Sequence, residues 1–186
     1  MALHSNLTSL LKESLPEVLE AARYCIEYSK DSSWGATQKG GCLGYPGTAL
    51  LLSLADSLGS YHRERKGYSV IIDGKEYEIS RDGFQHFFIF NSSFYGLSLS
   101  LIEIQDIYKN YRNLLLHNSA LAQDHFLFMG QSNQTPFQLS NGKVHINVIA
   151  LLRVTQQAVQ SFLHKAHDIV PNSNQEKIIK RNNKWG

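Results

Sequence analysis

The chain has 186 residues, of which 42% are hydrophobic and 18% charged, and this balance favours a single globular domain over a disordered chain. No apolar run approaches the roughly 18 residues of a membrane span, and the first residues lack the pattern of a signal peptide, so we expect a cytoplasmic protein without membrane contact. The net charge of +2 permits an anionic partner without requiring one. Cys25 and Cys42 are too few for a disulfide framework, and we expect free thiols.

The first third of the chain predicts two helices separated by a glycine-rich loop. Apolar residues recur at three- and four-residue steps over residues 6–30, where Pro16 is placed to bend or restart the helix. Residues 31–47 contain five glycines, and we interpret them as a structural loop because no Gly-Lys-Ser/Thr sequence completes a phosphate-binding loop. Thr48 is the predicted N-cap of a second helix that runs to about Arg65.

Two β-hairpins and two further helices follow. Alternating apolar patterns flank Asp73-Gly74 and Asn141-Gly142, dipeptides that favour tight hairpin turns. Between them, the aromatic segment FQHFFIFNSSFYG indicates core or a dimer interface rather than a surface for stacking bases. Long helices are predicted over about residues 97–116 and 147–169, the second ending before Pro171.

These elements predict a mainly α fold, a four- to five-helix up-and-down bundle with two small β-hairpin insertions. We expect one domain over residues 1–170. Residues 171–186 end in IIKRNNKWG and are predicted to form a basic, flexible C-terminal tail, which can add nonspecific affinity for phosphate.

The stretch YKNYRNLLLHNSA places Arg112 and His117 at the end of the third predicted helix. The apolar seam of this helix comprises Leu97, Leu101, Ile104, Tyr108, Tyr111 and Leu115. Arginine is rarely buried without a partner, so we expect Arg112 beside this seam, near an interface or a cleft. In a continuous α-helix, two side chains five residues apart point in directions that differ by about 140° around the helix axis. Either the helix breaks near Leu116, or a second copy of the chain completes a shared site.

The spacing of arginine and histidine is weak evidence by itself, because residues 81–86, RDGFQH, also fit it. That copy follows a predicted strand and contains Gly83, so we interpret it as a strand-to-helix junction and expect little effect on cleavage from changing Arg81 or His86. A structural alternative also exists for Arg112 and His117, because cations near a helix C-terminus are favourable without any function.

Metal binding is the other chemistry to consider. His164, His167 and Asp168 lie close together on the last predicted helix, but no second ligand pair accompanies them. We expect neither a metal ion nor a cofactor.

Around Arg112, the chain resembles the HEPN superfamily of helical nucleases and nucleotide-binding domains. The family pattern is an arginine, a polar residue, three further residues and a histidine, on a core helix of a four- or five-helix bundle. Arg112, Asn113, three leucines and His117 match this pattern, and the resemblance covers about residues 95–125. It implies a metal-independent endoribonuclease with a composite site in a homodimer. It also implies, as for many members, a toxin or phage-defence effector of prokaryotes with a cognate antitoxin or regulatory protein.

The residue types suit this chemistry. An imidazole can take a proton from a ribose 2′-hydroxyl or give one to the leaving oxygen, and a guanidinium can hold the phosphate and its developing charge. The resemblance therefore assigns catalytic roles to Arg112 and His117 and substrate binding to Asn113 and Asn118, with a 2′,3′-cyclic phosphate as product. Ser119 stands where some toxin members carry a tyrosine that a partner nucleotidyltransferase modifies, so regulation of that kind is not expected.

Two hypotheses from other classes stay open. The first is a non-catalytic HEPN-like module that binds a nucleotide or RNA, or only dimerises. The second is a helical domain without a nucleic-acid role.

Overall fold

Three long helices form the centre of the structure, a computed structural model that describes residues 6–35, 40–80 and 82–183. They are α1 (Leu7–Glu27), α2 (Gly44–Ser60) and α6 (Val148–Ile169), and each packs against the other two. Most of the buried apolar residues of all three belong to one hydrophobic core. The prediction of a mainly α fold with small β elements is confirmed.

α1 continues through Pro16, which neither bends it into two elements nor restarts it. Asn6 caps the helix, because its side chain accepts a hydrogen bond from the backbone N–H of Ser9 at 2.9 Å. Pro16 leaves the carbonyl of Lys12 without its helical donor, and Lys12 lies on the exposed face of the helix. Water can therefore satisfy that carbonyl, which explains why the helix tolerates the proline.

α2 begins at Gly44, so the prediction that Thr48 is its N-cap is wrong. Pro46 lies in the first turn, where a backbone N–H would have no helical partner in any case, and the helix can therefore start ahead of it. Thr48 is buried inside the helix instead. α2 also ends earlier than expected, at Ser60, so that the basic sequence HRERK forms the turn after the helix rather than its last turn.

The first predicted hairpin is confirmed. β1 (Ser69–Ile72) and β2 (Lys75–Glu78) pair in antiparallel register, with Ile72 opposite Lys75. Asp73 and Gly74 both adopt left-handed φ angles, of 50° and 74°, as the twist of a two-residue hairpin requires.

The aromatic segment that follows lies in the core. A short helix α3 (Gly83–His86) runs into a 3₁₀ segment (Phe87–Asn91). Phe87, Phe88, Ile89 and Phe90 are all fully buried. The interpretation of this segment as core is therefore confirmed.

The third predicted helix contains a π-helical insertion. It comprises α4 (Leu101–Asp106), a π segment (Ile107–Asn113) and α5 (Leu114–Asn118). It starts four residues later than expected because Ser100 and Glu103 form a capping box, the Glu103 carboxylate accepting the Ser100 N–H at 2.8 Å. It ends at Asn118, before Ser119, whose φ of 51° is left-handed. No break occurs at Leu116.

The second predicted hairpin is present but is not an isolated insertion. β3 (Leu127–Phe128) lies parallel to β5 (Lys143–Asn147), and β5 pairs antiparallel with β4 (Phe137–Ser140). The turn at Asn141 and Gly142 is again left-handed at both residues. β5 is buried over most of its length and continues directly into α6, whose N-cap is Asn147. The hairpin therefore belongs to a small mixed sheet joined to the bundle.

The C-terminal segment, predicted to be a flexible tail, contains helix α7 (Asn174–Asn183). Ser173 accepts the backbone N–H of Glu176 at 3.1 Å, and both residues are buried. Ile179 packs against the core. An apolar residue between the charges of this segment thus attaches the helix to the core, which a pattern of solvated charges did not predict. None of the helices in the described ranges is long and apolar enough to cross a membrane.

Gly59 provides a test of how α2 and α3 pack. A Cβ atom at Gly59 would lie 2.1 Å from the carbonyl oxygen of His86, which is backbone and cannot move aside. We expect Gly59→Ala to lower the free energy of unfolding by about 1–3 kcal/mol or more, which is the usual cost of overpacking a core. Urea denaturation measures this value.

Gly47→Ala is the matched control in the same helix. Its nearest contact would be the Cγ1 atom of Ile26 at 2.9 Å, a side-chain atom that can shift. Both substitutions gain helix propensity, so Gly47→Ala should be clearly less harmful. Equal stability of the two variants would contradict the close approach at Gly59.

Candidate functional site

Asp56 joins two residues that the sequence analysis treated separately. Its Oδ2 atom accepts a hydrogen bond from Nη2 of Arg112 at 2.7 Å, and its Oδ1 atom lies 2.7 Å from Nδ1 of His86. Because Nδ1 faces a carboxylate oxygen, we assign the imidazole hydrogen to this nitrogen. The three side chains are only 19%, 23% and 12% exposed, respectively. One carboxylate of α2 therefore connects the π segment to the end of α3.

The sequence around these residues explains why they meet. Gly59 lies one turn after Asp56 and allows the backbone of α3 to approach α2. Asp82 starts α3 as its N-cap, its side chain accepting the N–H of Phe84 at 3.1 Å. His86 then follows in the last turn of α3, on the side of Asp56.

Aromatic packing fixes Arg112 from its other side. Cζ of Arg112 lies 5.6 Å from the centre of the Tyr108 ring, a cation–π distance. Tyr108 in turn makes edge-on contacts with Phe84 and Phe87, at centroid distances of 5.9 and 5.5 Å. The guanidinium is thus held between a carboxylate and an aromatic ring.

Asp56 is a carboxylate at neutral pH. Burial opposes its ionisation, but hydrogen bonds from His86 and Arg112 and the charges of both residues outweigh burial and hold the pKa of Asp56 below its ordinary range. The negative charge is therefore a fixed property of the site.

The site retains unused hydrogen-bonding capacity. Among the described residues, Nε of Arg112 and Nε2 of His86 are buried and have no hydrogen-bond partner. Nη1 of Arg112 donates to Oδ1 of Asn113 at 3.1 Å. Because Nε is buried, an oxygen acceptor from solution could reach the guanidinium only at the part of the side chain that stays exposed, which is 23% of it.

His117 lies apart from this group. It is exposed in α5, and it has no hydrogen bond or ion pair with any residue that the structure describes. The first two of the five steps from Arg112 to His117 start in the π segment and the last three lie in α5, so the angular separation expected for an α-helix applies to the last three steps. The helix is intact at Leu116, and Arg112 and His117 of one chain do not contact one another in the structure. A shared site would therefore need a second copy of the chain. Asn118 is exposed beside His117, whereas Asn113 is half-buried and bound to Arg112.

The two arginine–histidine copies are linked in the structure, because one residue of each contacts Asp56. Arg81 lies outside the described residues, but His86 shares Asp56 with Arg112. Sequence analysis missed Asp56 altogether, although a signal was present. It is the one charged residue of α2, in the sequence LLLSLADSLGS, and a lone carboxylate in an apolar helix indicates a buried partner.

An apolar groove of about 360 Å³ lies between α2 and α5, and His117 is not among the residues that line it. Tyr45 and Leu116 contribute exposed side chains, 54% and 43% accessible. The other residues that line it are Pro46, Ala49, Leu50, Leu115 and Ser119. Such a groove indicates an interaction surface more than a binding site for a polar molecule.

A second buried carboxylate ties the mixed sheet to the central helix. Asp106 accepts hydrogen bonds from Nε2 of His125 at 2.9 Å and from the backbone N–H of Val144 at 2.7 Å. Burial opposes ionisation, but these bonds and one from Asn110 hold the pKa of Asp106 below its ordinary value. This group has no contact with Asp56 among the described residues, and it serves below as a control.

Metal ligands are not grouped in the described part of the chain, where no cluster of three histidine, cysteine, aspartate or glutamate side chains is arranged to hold an ion. His164 and His167 lie exposed on α6.

No protein-family model, no curated protein and no solved structure matches the chain.

Asp56→Asn tests the shared carboxylate. At pH 7 we expect it to lower the free energy of unfolding by roughly 1.5–3 kcal/mol, since an amide loses the charge and presents a donor to one of the two partners. The folded pKa of Asp56 is below its unfolded value, so the wild-type advantage is fully present above the unfolded pKa of about 3.9. It is lost as pH falls through the lower folded pKa. Urea denaturation across this range gives the difference, and a difference independent of pH would contradict the assignment.

Proposed function

We propose that the protein is a metal-independent endoribonuclease of HEPN type that acts as a homodimer. One observation carries the proposal: Arg112 is held in a fixed, half-buried position on the central helix, and an exposed histidine, His117, follows in the next turns of that helix. An immobilised guanidinium and an accessible imidazole are the two groups that cleavage of RNA by its own 2′-hydroxyl requires.

The reaction would proceed as follows. His117 of one protomer takes the proton from a ribose 2′-hydroxyl, and the 2′-oxygen attacks the adjacent phosphorus. The bond from phosphorus to the 5′-oxygen breaks, and this oxygen takes a proton from His117 of the second protomer. Arg112 binds the phosphate and stabilises the charge that builds on its oxygens. The products are a 2′,3′-cyclic phosphate and a 5′-hydroxyl, so DNA is not a substrate.

The apolar groove between α2 and α5, the helix that carries His117, supports the homodimer. Tyr45 and Leu116 are exposed there, and a second copy of the chain packed on this groove would bury both residues. The same contact would bring the α5 helices of the two protomers together, and with them the segments that carry His117, although His117 does not line the groove. Asn118, exposed next to His117, would contact the substrate, whereas Asn113 would position Arg112 through the bond that they share.

His86 acquires a role in this proposal that its sequence did not suggest. It is a positioning residue, because it binds the carboxylate that holds Arg112. His86→Ala should therefore raise KM or lower kcat by a moderate factor without abolishing cleavage.

The protein would serve as a toxin or phage-defence effector under the control of a cognate antitoxin or regulatory protein. In the alternative function, a non-catalytic module, the same site would bind RNA or a nucleotide without cleaving it.

RNA cleavage in the presence of a metal chelator is the direct test. We expect His117→Ala and Arg112→Ala each to lower the rate at least about 100-fold, because general acid–base catalysis and charge stabilisation each contribute factors of that order. The cleaved ends should carry 2′,3′-cyclic phosphate. Substrates with 2′-deoxyribose at every position should not be cut.

Asp106→Asn is the matched control for loss of stability. It removes a buried carboxylate of similar environment that has no contact with Asp56 or Arg112 among the described residues, so it should cleave RNA at nearly the wild-type rate. Equal cleavage by wild type, His117→Ala and Arg112→Ala would assign the activity to another site or to a contaminant. Binding of RNA by wild type without cleavage would favour the non-catalytic module.

A further inference from the structure

A cavity of about 310 Å³ opens on a different part of the surface from the Asp56 site. It lies where the turn after α2, the loop after the 3₁₀ segment and the last turns of α6 meet. The residues that give it its character are His62, Arg65, Lys66, Tyr68, Phe94 and Lys165. Its volume is at the lower end for ligand sites, which suits a small molecule.

Positive charge dominates this cavity. Arg65, Lys66 and Lys165 line it, and none of the three forms an ion pair with another residue that the structure describes. The one carboxylate in its lining, Asp168, lies 3.3 Å from His167 rather than beside these cations. Lys165 lies 5.5 Å from the centre of the Phe94 ring, a cation–π contact that leaves its positive charge in place. Three cations without an ion pair around one concave surface create a potential that favours an anion.

His62 provides an independent indication of a ligand. Its side chain is 1% exposed, lines the cavity, and has no hydrogen-bond partner at either ring nitrogen among the described residues. The ring stacks on Tyr68 at a centroid distance of 4.0 Å and packs on Phe94 at 5.2 Å, so it is fixed in orientation. A neutral imidazole always carries one N–H, and leaving this donor buried and unpaired is costly.

In the protein without a ligand, the surroundings of His62 keep its imidazole neutral. Burial lowers its pKa most, the charges of Arg65 and Lys165 lower it further, and the result is a pKa of about 3. An anion in the cavity would supply the missing acceptor and offset both cations. Helix dipoles offer a partial alternative, because α2 and α6 end nearby and cations at helix C-termini are favourable without a ligand. That alternative accounts for the lysines and the arginine but not for the unpaired His62.

We propose that this cavity binds a small phosphate monoester. Arg65, Lys66 and Lys165 would surround the phosphate, the N–H of His62 would donate to one of its oxygens, and the organic part would face Phe94 and Tyr68. None of these residues belongs to the group around Asp56, so this site stands whether or not the protein cleaves RNA.

Isothermal titration calorimetry of the full chain at low ionic strength tests the proposal. The ligands are inorganic phosphate, ribose 5-phosphate and adenosine monophosphate, with adenosine as the uncharged control. We expect all three phosphates to bind and adenosine not to bind. The order of the three affinities shows how much the sugar and the base contribute. Failure of all phosphates to bind, or equal binding of adenosine, would overturn the proposal.

Variants locate the binding. The double substitution Arg65→Gln with Lys165→Gln should weaken phosphate binding at least about tenfold, since each charge-assisted contact is strong. Arg153→Gln with Lys12→Gln is the matched control, because it removes the same charge from exposed residues of α6 and α1 that do not line the cavity. It should bind nearly as wild type does. Equal losses in both variants would indicate nonspecific attraction and overturn the site.

His62 allows a second readout. His62→Phe keeps an aromatic ring against Tyr68 and Phe94 but removes the donor, and we expect a several-fold loss of affinity with the fold intact. In wild type, phosphate should shift the ring nitrogen signals of His62 in nuclear magnetic resonance spectra. Unchanged signals together with unchanged affinity of His62→Phe would overturn the proposed contact and the site built on it.

Discussion

The carboxylate of Asp56 is the interaction on which the candidate site depends. It is mostly buried in a helix of otherwise uncharged residues, where an ion is tolerated only if its hydrogen-bonding positions are filled. Arg112 and His86 fill them from two other helices. The requirement to satisfy one charge therefore brings three elements together, and the absence of a side chain at Gly59 allows them to approach closely enough. The ion pair with Asp56 therefore holds the guanidinium of Arg112 in its orientation.

This constraint gives the two halves of the arginine–histidine motif different environments. Arg112 points toward α2 and is immobilised by Asp56 and Tyr108, whereas His117 is exposed at the end of the same helix. The π segment that carries Arg112 is a departure from regular helix of the kind often found at functional sites. In the proposed ribonuclease, the buried half of the motif would hold the phosphate and the exposed half would move protons, with a second protomer completing the pair.

Sequence patterns predicted the elements whose causes are local. Asp73-Gly74 and Asn141-Gly142 specify left-handed turns by their own backbone preferences. α6 (Val148–Ile169) lies close to its expected bounds and ends before Pro171. Ser100 and Glu103 were an equally local signal that went unused. The parallel pairing of β3 with β5, the helix in the C-terminal segment and the meeting of Asp56, Arg112 and His86 depend on contacts between distant residues. No periodicity within a single element encodes such contacts, and so the candidate site was predicted only in part.

A double-mutant cycle between Arg112 and His86 tests the central claim, that Asp56 couples them. The free energies of unfolding of Arg112→Gln, His86→Phe and the double variant are measured in the wild-type and in the Asp56→Asn background. Losing either partner leaves Asp56 with the other, but losing both leaves a buried charge unpaired. We therefore expect the double variant to be less stable than the sum of the single effects by about 1 kcal/mol or more, and we expect this coupling to vanish in the Asp56→Asn background. Additive effects in the wild-type background would contradict the account.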